Sequence, residues 1–356
     1  MQIATCQAGY EPLLRAELAQ HGMMPAAGGR GWLAASGAPP AEACFAHLRL
    51  DEPRCIEAPA VNAQAASLLE LFLEEDRGAA WPEDWPLFVG CADASTELAR
   101  RARAVEKEFR ARLARRARRL ARSAQGELPR GTGTFQGLFV IFTDFASVFA
   151  ATRAWSGGQK RMADDPAAPS RSYLKAEEAY AVLGAEPAAG ETVVDLGAAP
   201  GGWSYSAARR GARVIAVDNG PLKGGALDHP RIEHARADAF TFRTATSAPC
   251  EWLLCDMVEE PHRVLRLVES WLRERRCRRF VVNLKFGRAD ALALLAEALD
   301  PRGRLRPHCE LLRARHLFHD REEFTLVGCV RGGRIPLIAD GDHAGKRAAM
   351  PDVEEG

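Results

Sequence analysis

The sequence predicts an α/β protein whose second half folds into a doubly wound, mainly parallel sheet, and three observations support this. From residue 192 onward, short apolar runs rich in β-branched residues alternate with helical stretches. The run at 193–196 leads directly into a glycine-rich turn, and a helical stretch follows at once. A chain of 356 residues with 47% hydrophobic and 27% charged residues is long enough for two or three globular domains. Alternation of strand and helix is typical of a parallel sheet with helices on both faces.

The first half shows short apolar runs separated by helices. Leu13, Leu14 and Leu18 recur at helical spacing and Pro12 stands where a first-turn proline is tolerated, so we predict a helix at 11–21. The other predicted elements here are a helix at 65–73 and strands at 85–91 and 137–144.

A long polar helix is predicted at 95–123, with Ser95 or Thr96 as its N-cap. Within 100–122 it carries eleven basic and two acidic residues, a net charge of +9. Such a run is either a solvated helix face or a surface that contacts phosphates. The whole chain has a net charge of only +1, so positive charge is concentrated here, which strengthens the second interpretation.

In the second half the predicted elements follow one another closely. They are strands at 192–196, 213–217, 252–256, 280–285 and 324–330, and helices at 203–210, 261–275 and 288–299. Residues 156–172 contain several glycines and prolines and predict a linker or a functional loop. Residues 331–356 have no periodicity and predict a loose C-terminal tail.

Several classes of protein are disfavoured by composition. No apolar run approaches the roughly 20 residues of a membrane span, and the first ten residues lack the pattern of a secretory signal. The nine cysteines are odd in number and none are spaced C-x-x-C, so neither a disulfide framework nor a zinc ribbon is expected. We therefore expect a cytoplasmic protein with no metal site and no membrane partner.

The most informative stretch is the turn Gly197-Ala-Ala-Pro-Gly-Gly202 after the strand at 192–196. Glycines let a ligand approach the backbone closely, and the following helix offers free N–H groups. The order differs from G-x-G-x-x-G, and Pro200 lacks the N–H that a pyrophosphate would use, so a ligand without phosphate fits better. Asp218 ends the next strand, where an acid can accept hydrogen bonds from ribose hydroxyls. Asp238 could hold an adenine amino group; the plainer alternatives are a turn residue for Asp218 and a cap for Asp238.

Five islands of sequence resemble one known group of enzymes. They are Asp195–Trp203 (DLGAAPGGW), Pro169–Lys175 (PSRSYLK), Cys255–Met257 (CDM), Asn283–Lys285 (NLK) and His319–Phe324 (HDREEF). The first is similar to motif I of the S-adenosylmethionine-dependent methyltransferases that modify RNA ribose at the 2′ oxygen. The set resembles in particular the bacterial large-subunit methyltransferase M family, whose substrate is cytidine 2498 of 23S ribosomal RNA.

The resemblance implies a domain organisation and a partner. It implies a ferredoxin-like domain at 1–55, a THUMP RNA-binding domain at 56–155 and a Rossmann-like class I methyltransferase domain at 173–330. The basic helix falls within the THUMP segment. The implied partner is 23S ribosomal RNA before the large subunit is complete, bound by a monomer.

The resemblance also implies the site residues and their roles. The catalytic set is Lys285, Lys175, Asp256 and Glu323, with Lys285 as the proton acceptor. The positions implied for S-adenosylmethionine are Ser172, Ala199, Pro200, Gly201, Gly202, Asp218, Asp238 and Asp256. Where the family often has Cys in motif I this chain has Ala199, and a backbone contact there would make the change harmless.

A lysine with an ordinary pKa near 10.4 is protonated at neutral pH and cannot act as a base. A second ammonium, the sulfonium of the cofactor and desolvation would lower the pKa of Lys285, whereas nearby carboxylates would raise it. Alignment of the hydroxyl with the methyl group could contribute more than the proton transfer itself. Glu322 and Glu323 point to opposite faces of a strand, and we choose Glu323 because it directly precedes an apolar strand.

Four other functions compete with this interpretation. A base methyltransferase is disfavoured because the turn Asp256-Met-Val-Glu-Glu-Pro261 lacks a Pro-Pro-aromatic sequence and a cysteine nucleophile. An inactive RNA-binding assembly factor is disfavoured because all four catalytic positions are filled, and a nicotinamide dehydrogenase because its glycine fingerprint is missing. A methyltransferase that acts on another RNA position stays open.

Overall fold

The structure is a computed structural model that describes residues 1–76, 81–93, 95–128, 130–245 and 248–332. Within these residues the chain forms a nine-stranded sheet from its first half and a seven-stranded sheet from its second half. The predicted tail at 331–356 lies outside the described residues, apart from 331 and 332. No helix in the described ranges is both long and apolar enough to cross a bilayer.

Within its described residues, the first half contributes nine strands and four α-helices. The strands are β1 (Gln2–Thr5), β2 (Met24–Gly29), β3 (Trp32–Ser36), β4 (Leu48–Asp51), β5 (Arg54–Glu57), β6 (Trp85–Cys91), β7 (Ala124–Gln125), β8 (Gly133–Phe142) and β9 (Ser147–Ser156). The helices are α1 (Glu11–Gln20), α2 (Val61–Asp76), α3 (Thr96–Arg116) and α4 (Arg118–Ser123). The strand order is β2-β3-β1-β4-β9-β8-β6-β7, with β5 also paired to β9.

The boundary predicted between residues 55 and 56 does not interrupt this sheet. Strand β4 pairs antiparallel with β9, so Leu48 lies opposite Ser156. The segments 1–55 and 56–155 therefore share one hydrogen-bonded sheet. Their assignment as a ferredoxin-like and a THUMP domain stays a prediction.

The prediction of one continuous helix over 95–123 is wrong from residue 117 onward. Ser95 caps α3 as predicted, because its side chain accepts a hydrogen bond from the Leu98 N–H. The helix breaks at Ala117, whose φ of −143° and ψ of 69° are not helical. The break has a tertiary cause: the Trp85 Nε1 donates to the Leu120 carbonyl at 3.0 Å, and β7 then pairs with the start of β6.

As far as residue 332, and apart from 246 and 247, the second half contributes seven strands and four α-helices. The strands are β10 (Thr192–Leu196), β11 (Arg213–Val217), β12 (Ile232–Ala235), β13 (Cys250–Cys255), β14 (Cys277–Lys285), β15 (Cys309–Arg315) and β16 (Glu323–Val330). The helices are α5 (Tyr173–Leu183), α6 (Gly202–Ala208), α7 (Pro261–Arg273) and α8 (Ala291–Leu299). Every strand and helix predicted here is present, and α5, β12 and β15 are additional.

The sheet order β12-β11-β10-β13-β14-β16-β15 confirms a doubly wound, mainly parallel fold. The first five strands are parallel, whereas β16 runs antiparallel to both β14 and β15. Val193 packs on the side of α5 and α6, and its neighbour Val194 packs on the side of α7 and α8. Because both faces are buried, the carboxyl edge of the parallel strands is where functional side chains can meet.

The two halves are joined by buried contacts. Leu14, Leu18 and Phe45 belong to the same apolar cluster as the residues of α7 and α8. Arg315 at the end of β15 is 1% exposed, pairs with Glu42 and donates its Nε–H to the Gly157 carbonyl at 3.0 Å. The N-terminal half thus packs directly against the β15 edge of the seven-stranded sheet.

Candidate active site

Four charged side chains meet at the carboxyl edge of the second sheet. Lys285 is the last residue of β14 and lies opposite Glu323, the first residue of β16. Asp256 directly follows β13, which runs parallel to β14. Lys175 lies in the first turn of α5, a position where the helix dipole disfavours a cation unless carboxylates offset it. The fold thus brings the four residues of the predicted catalytic set together.

These side chains form a closed ring of alternating charge. Glu323 bridges both lysines, with its Oε1 2.6 Å from the Lys175 Nζ and its Oε2 3.4 Å from the Lys285 Nζ. The Oδ1 of Asp256 lies 2.5 Å from the Lys285 Nζ and 3.6 Å from the Lys175 Nζ. The side chains are only 9% to 23% exposed, so water screens their charges weakly. The ring has no net charge, which offsets the cost of burying its members.

The pKa of Lys285 follows from this ring. Burial alone lowers it, but the charges of Asp256 and Glu323 and their hydrogen bonds outweigh burial and raise the pKa above its ordinary value. Burial raises the pKa of Glu323, and the two lysines overcome that effect and lower it. At neutral pH the free protein therefore holds Lys285 as an ammonium and Glu323 as a carboxylate.

The choice between the two adjacent glutamates is resolved by the strand register. Glu323 is buried and contacts both lysines, whereas Glu322 is exposed. The Glu322 backbone carbonyl accepts hydrogen bonds from the N–H groups of Phe286 and Gly287. Of the two glutamates, Glu323 is therefore the one whose side chain lies in the ring.

The glycine turn lies beside Asp256. Leu196 at the end of β10 is in register with Cys255, so Gly197 and Asp256 emerge side by side. Gly197 has φ +74°, and a Cβ there would lie 2.2 Å from the Met257 side chain. Gly201 has φ +108°, and its Cβ would lie 2.4 Å from the Ala226 Cβ. The turn thus leaves bare backbone at the edge where the charged ring sits.

Asp218 is fixed against this turn. Its Oδ2 accepts a hydrogen bond from the Ala199 N–H at 3.0 Å, and its Oδ1 accepts one from the Gly220 N–H at 2.7 Å. Each carboxylate oxygen can accept a second hydrogen bond. The side chain is half-buried, so two further acceptor positions are available to a ligand such as a ribose with adjacent hydroxyls.

The loop before α5 closes over the same turn. The Trp203 Nε1 donates to the Ser172 carbonyl at 2.8 Å, and a Cβ on Gly202 would lie 2.7 Å from the hydroxyls of Ser170 and Ser172. Ser172, Gly201 and Gly202 are therefore neighbours, and Ala199 and Pro200 complete the turn between Gly197 and Gly201. The bare backbone of the turn and the free acceptor positions of Asp218 fit a ligand that contains a ribose.

Asp238 is not brought into the charged ring. It lies three residues beyond β12, is exposed, and accepts a hydrogen bond from the Phe240 N–H at 3.0 Å. In the structure Asp238 therefore caps the turn after β12, which is the plainer alternative given for it above. It still follows the strand next to β11, at the same edge of the sheet as Asp218.

Sequence reasoning gave no role to Asn283 and Asp320. Both are fully buried polar side chains, and Asn283 accepts a hydrogen bond from the Lys285 Nζ at 3.2 Å. Burial raises the pKa of Asp320 to about 8. The sequence signal that could have pointed to Asn283 is its polar amide within the otherwise apolar run Val281–Leu284.

The basic helix exposes most of its positive charge. Ion pairs with Glu106 and Glu108 involve only Arg110 and Arg112. The exposed arginines around the break at Ala117 are Arg115, Arg116, Arg118, Arg119 and Arg122. The buried stripe of α3 consists of Leu98, Ala102, Val105, Phe109 and Leu113, so the arginines cover the outward face.

Comparison with known proteins finds a family profile and several curated relatives that are similar to this chain. A family profile described as FtsJ-like methyltransferase matches residues 168–289. The Ribosomal RNA large subunit methyltransferase M of Stenotrophomonas maltophilia (strain K279a) is 36% identical over 252 residues, which cover 66% of this chain and 67% of the relative. The proteins of the same name from Laribacter hongkongensis and Halorhodospira halophila are 44% and 42% identical, over 48% and 53% of this chain. The matches span 51% and 56% of those two relatives, a little over half of their length.

Solved structures give a more distant likeness. A possible methylase from Clostridium difficile 630 is 12% identical with a TM-score of 0.36, and the match covers 94% of this chain and 98% of that one. A putative methyltransferase complexed with SAH, SMU.472, is 11% identical with a TM-score of 0.34, and the match covers 94% of this chain and 98% of that one.

Proposed function

Because the chain belongs to the ribosomal RNA large subunit methyltransferase M family, we propose that it methylates the 2′ oxygen of a ribose in large-subunit ribosomal RNA, with S-adenosylmethionine as the methyl donor. One observation carries the proposal: two lysines and two carboxylates form a buried ring directly beside the glycine turn. A hydroxyl is a poor nucleophile, and this ring can supply a base that is held in place.

The cofactor is held by the turn and its surroundings. Backbone at Ala199, Pro200, Gly201 and Gly202 would line the binding position, with Ser172 on the neighbouring loop, and Asp218 would accept from the ribose hydroxyls through the acceptor positions that Ala199 and Gly220 leave free. Asp238 would contact the adenine from the neighbouring strand. When bound, S-adenosylmethionine supplies an electrophilic methyl group on a positively charged sulfur. Asp256, which emerges beside Gly197, would lie between the cofactor and the two lysines.

Lys285 is the proton acceptor in this proposal. Its ammonium must first lose a proton, since the carboxylates raise its pKa in the free protein. Positive charge brought near it lowers the pKa, and so does removal of water when the substrate enters. Asp256 and Glu323 hold the two lysine nitrogens in place. Lys175 neutralises the carboxylate charge that would otherwise keep the proton on Lys285.

The RNA is held in part by the first half of the chain. The exposed arginines around Ala117 form a compact positive surface that can neutralise phosphates. In this proposal the segment 56–155 acts as an RNA-binding domain through these arginines. The target that we propose is cytidine 2498 of 23S ribosomal RNA, methylated before the large subunit is complete. Such a substrate places the protein, acting as a monomer, in the cytoplasm.

The test is methyl transfer by the purified full chain to 23S ribosomal RNA isolated from cells that lack the modification. Mass mapping of the product is expected to show one new ribose methyl group, at cytidine 2498. A methyl group on a base would contradict ribose transfer, and a methyl group on another ribose would contradict the proposed position. Tight binding of RNA without transfer would instead indicate an inactive assembly factor.

A further inference from the structure

Asn283 is a buried amide in the middle of an apolar strand. Its side chain is completely buried, between Val282 and Leu284 of β14. Burying an amide without partners costs several kcal/mol, of order 2–7, so its hydrogen bonds have to be made inside the protein. Its Nδ2 donates to the Asp320 Oδ1 at 3.0 Å and to the Thr325 Oγ1 at 3.1 Å. Its Oδ1 accepts from the Lys285 Nζ at 3.2 Å.

The direction of these hydrogen bonds is fixed by Lys285. An ammonium can only donate, so the amide oxygen of Asn283 must face Lys285. The amide nitrogen must therefore face Asp320 and Thr325, and Asp320 also accepts from the Leu317 N–H at 2.9 Å and from the Thr325 hydroxyl at 3.1 Å. Asp320 and Thr325 are themselves at most 1% exposed, so water cannot take their place.

The strand register places this hydrogen-bond network next to Lys285. Asn283 lies opposite Thr325, and Lys285 lies opposite Glu323. Because the two pairs are two residues apart along the strands, all four side chains lie on the same face of the sheet. The three N–H groups of the Lys285 ammonium thus meet Asp256, Glu323 and the Asn283 oxygen. Two of these acceptors are charged, whereas the third is neutral and directs the nitrogen without adding a third negative charge.

We infer that Asn283, oriented by Asp320 and Thr325, is a positioning residue that sets the direction of the Lys285 amine. The inference rests on the proposed function of Lys285 as proton acceptor. Once the ammonium has lost a proton, two N–H groups and one lone pair remain. The Asn283 oxygen holds one of these N–H groups, so the lone pair is directed away from Asn283.

The test compares Thr325→Val with Thr325→Ser. Valine has the shape of threonine but loses the hydroxyl, whereas serine keeps the hydroxyl and loses a methyl group. We expect Thr325→Val to lower the single-turnover rate at saturating RNA and cofactor by about tenfold, the equivalent of one hydrogen bond to a charged group, and Thr325→Ser to restore most of it. Affinity for S-adenosylhomocysteine, measured by calorimetry, should change less than twofold in both. Equal rates for the two variants at every pH would overturn the inference.

A second readout does not depend on turnover. Asn283→Ala removes an acceptor from the Lys285 ammonium, so trace acetylation of the Lys285 amine at fixed pH should rise at least about threefold relative to exposed Lys223. Labelling that stays unchanged in the folded variant would overturn the inference. If wild-type protein transfers no methyl group, the proposed function fails, while this labelling still decides whether Asn283 governs the amine. If Asn283→Ala does not fold, the same labelling of Thr325→Val decides it.

Discussion

Replacing Glu323 by glutamine removes one negative charge from the ring and should make the Lys285 amine easier to deprotonate. The shape of the side chain is kept, and only the charge facing the two lysines is lost. The pKa of Lys285 is raised in the wild-type protein because Asp256 and Glu323 together outweigh burial. With Glu323 neutral, burial and the ammonium of Lys175 act against one carboxylate instead of two, so the pKa falls.

The magnitude can be worked from one distance. The Glu323 Oε2 lies 3.4 Å from the Lys285 Nζ. Coulomb's law with an effective dielectric constant of about 20 gives about 5 kcal/mol for unit charges at that separation, which is an upper bound because the amide and nearby water reorient. A tenfold change in the deprotonated fraction needs only about 1.4 kcal/mol. We therefore expect at least about a tenfold increase at a fixed pH below the midpoint.

The assay is competitive acetylation of lysine amines, quantified by mass spectrometry of peptides, with exposed Lys223 as internal reference. Glu322→Gln is the matched control, because Glu322 is the exposed neighbour on the other face of the chain and should leave labelling unchanged. Circular dichroism confirms that both variants are folded. Unchanged or reduced labelling of Lys285 in folded Glu323→Gln would refute the claim that Glu323 sets the charge state of this amine.

Three further predictions concern other parts of the molecule. Charge reversal of Arg118 and Arg119 should weaken RNA binding and reduce the slope of log affinity against log salt by about 2, since each phosphate contact contributes close to one unit. Gly201→Ala should lower affinity for S-adenosylhomocysteine at least about tenfold, because φ is +108° and the new methyl group would lie 2.4 Å from the Ala226 Cβ. Burial lowers the pKa of His47 to about 3. Below pH 6.5 the imidazole therefore becomes protonated in the unfolded chain but stays neutral in the folded protein. Stability is then lost as pH falls, and His47→Gln should reduce this loss by about 1.4 kcal/mol per pH unit in urea unfolding between pH 6 and 4.

Two of these three predictions have a control variant, and the third has an outcome that would contradict it. Reversal of Arg278, exposed on β14, should leave the salt slope unchanged, and an equal effect would indicate bulk charge instead of a contact surface. In Gly220→Ala the new Cβ would lie 3.1 Å from the Ala199 Cβ and 3.2 Å from the Asp218 Oδ1, and Gly220 does not have a positive φ. This variant should therefore bind S-adenosylhomocysteine more tightly than Gly201→Ala. Identical pH slopes for wild type and His47→Gln would contradict a neutral buried imidazole.

The second half of the fold is predictable because its signals are local. The run of β-branched residues before Gly197 and the amphipathic pattern at 261–275 each determine one element, and parallel strand order then brings their carboxyl ends to one edge. Helix α5 escaped prediction because all its residues except Lys175 are buried, so no amphipathic period is present. Strand β15 escaped because Glu310 and Arg313 interrupt its apolar pattern.

The first half is less predictable because long-range contacts decide it. The pairing of β4 with β9 joins residues more than a hundred positions apart, and no local pattern encodes it. The helix break at Ala117 follows from contacts with Trp85 and β6, while the intrinsic helix propensity of the arginine-rich run would continue the helix. The role of Asn283 likewise depends on Asp320 and Thr325, which only the antiparallel pairing of β16 brings beside it.

Single-turnover methyl transfer by Lys285→Ala tests the central claim most directly, measured beside wild type and Lys223→Ala with labelled S-adenosylmethionine and unmodified 23S ribosomal RNA. A general base contributes about 100-fold or more to such a step. We expect Lys285→Ala to lose at least that factor at saturating substrates while its affinity for S-adenosylhomocysteine stays within several-fold, and Lys223→Ala to behave as wild type. A Lys285→Ala rate within tenfold of wild type would show that the ring beside the glycine turn does not take the proton.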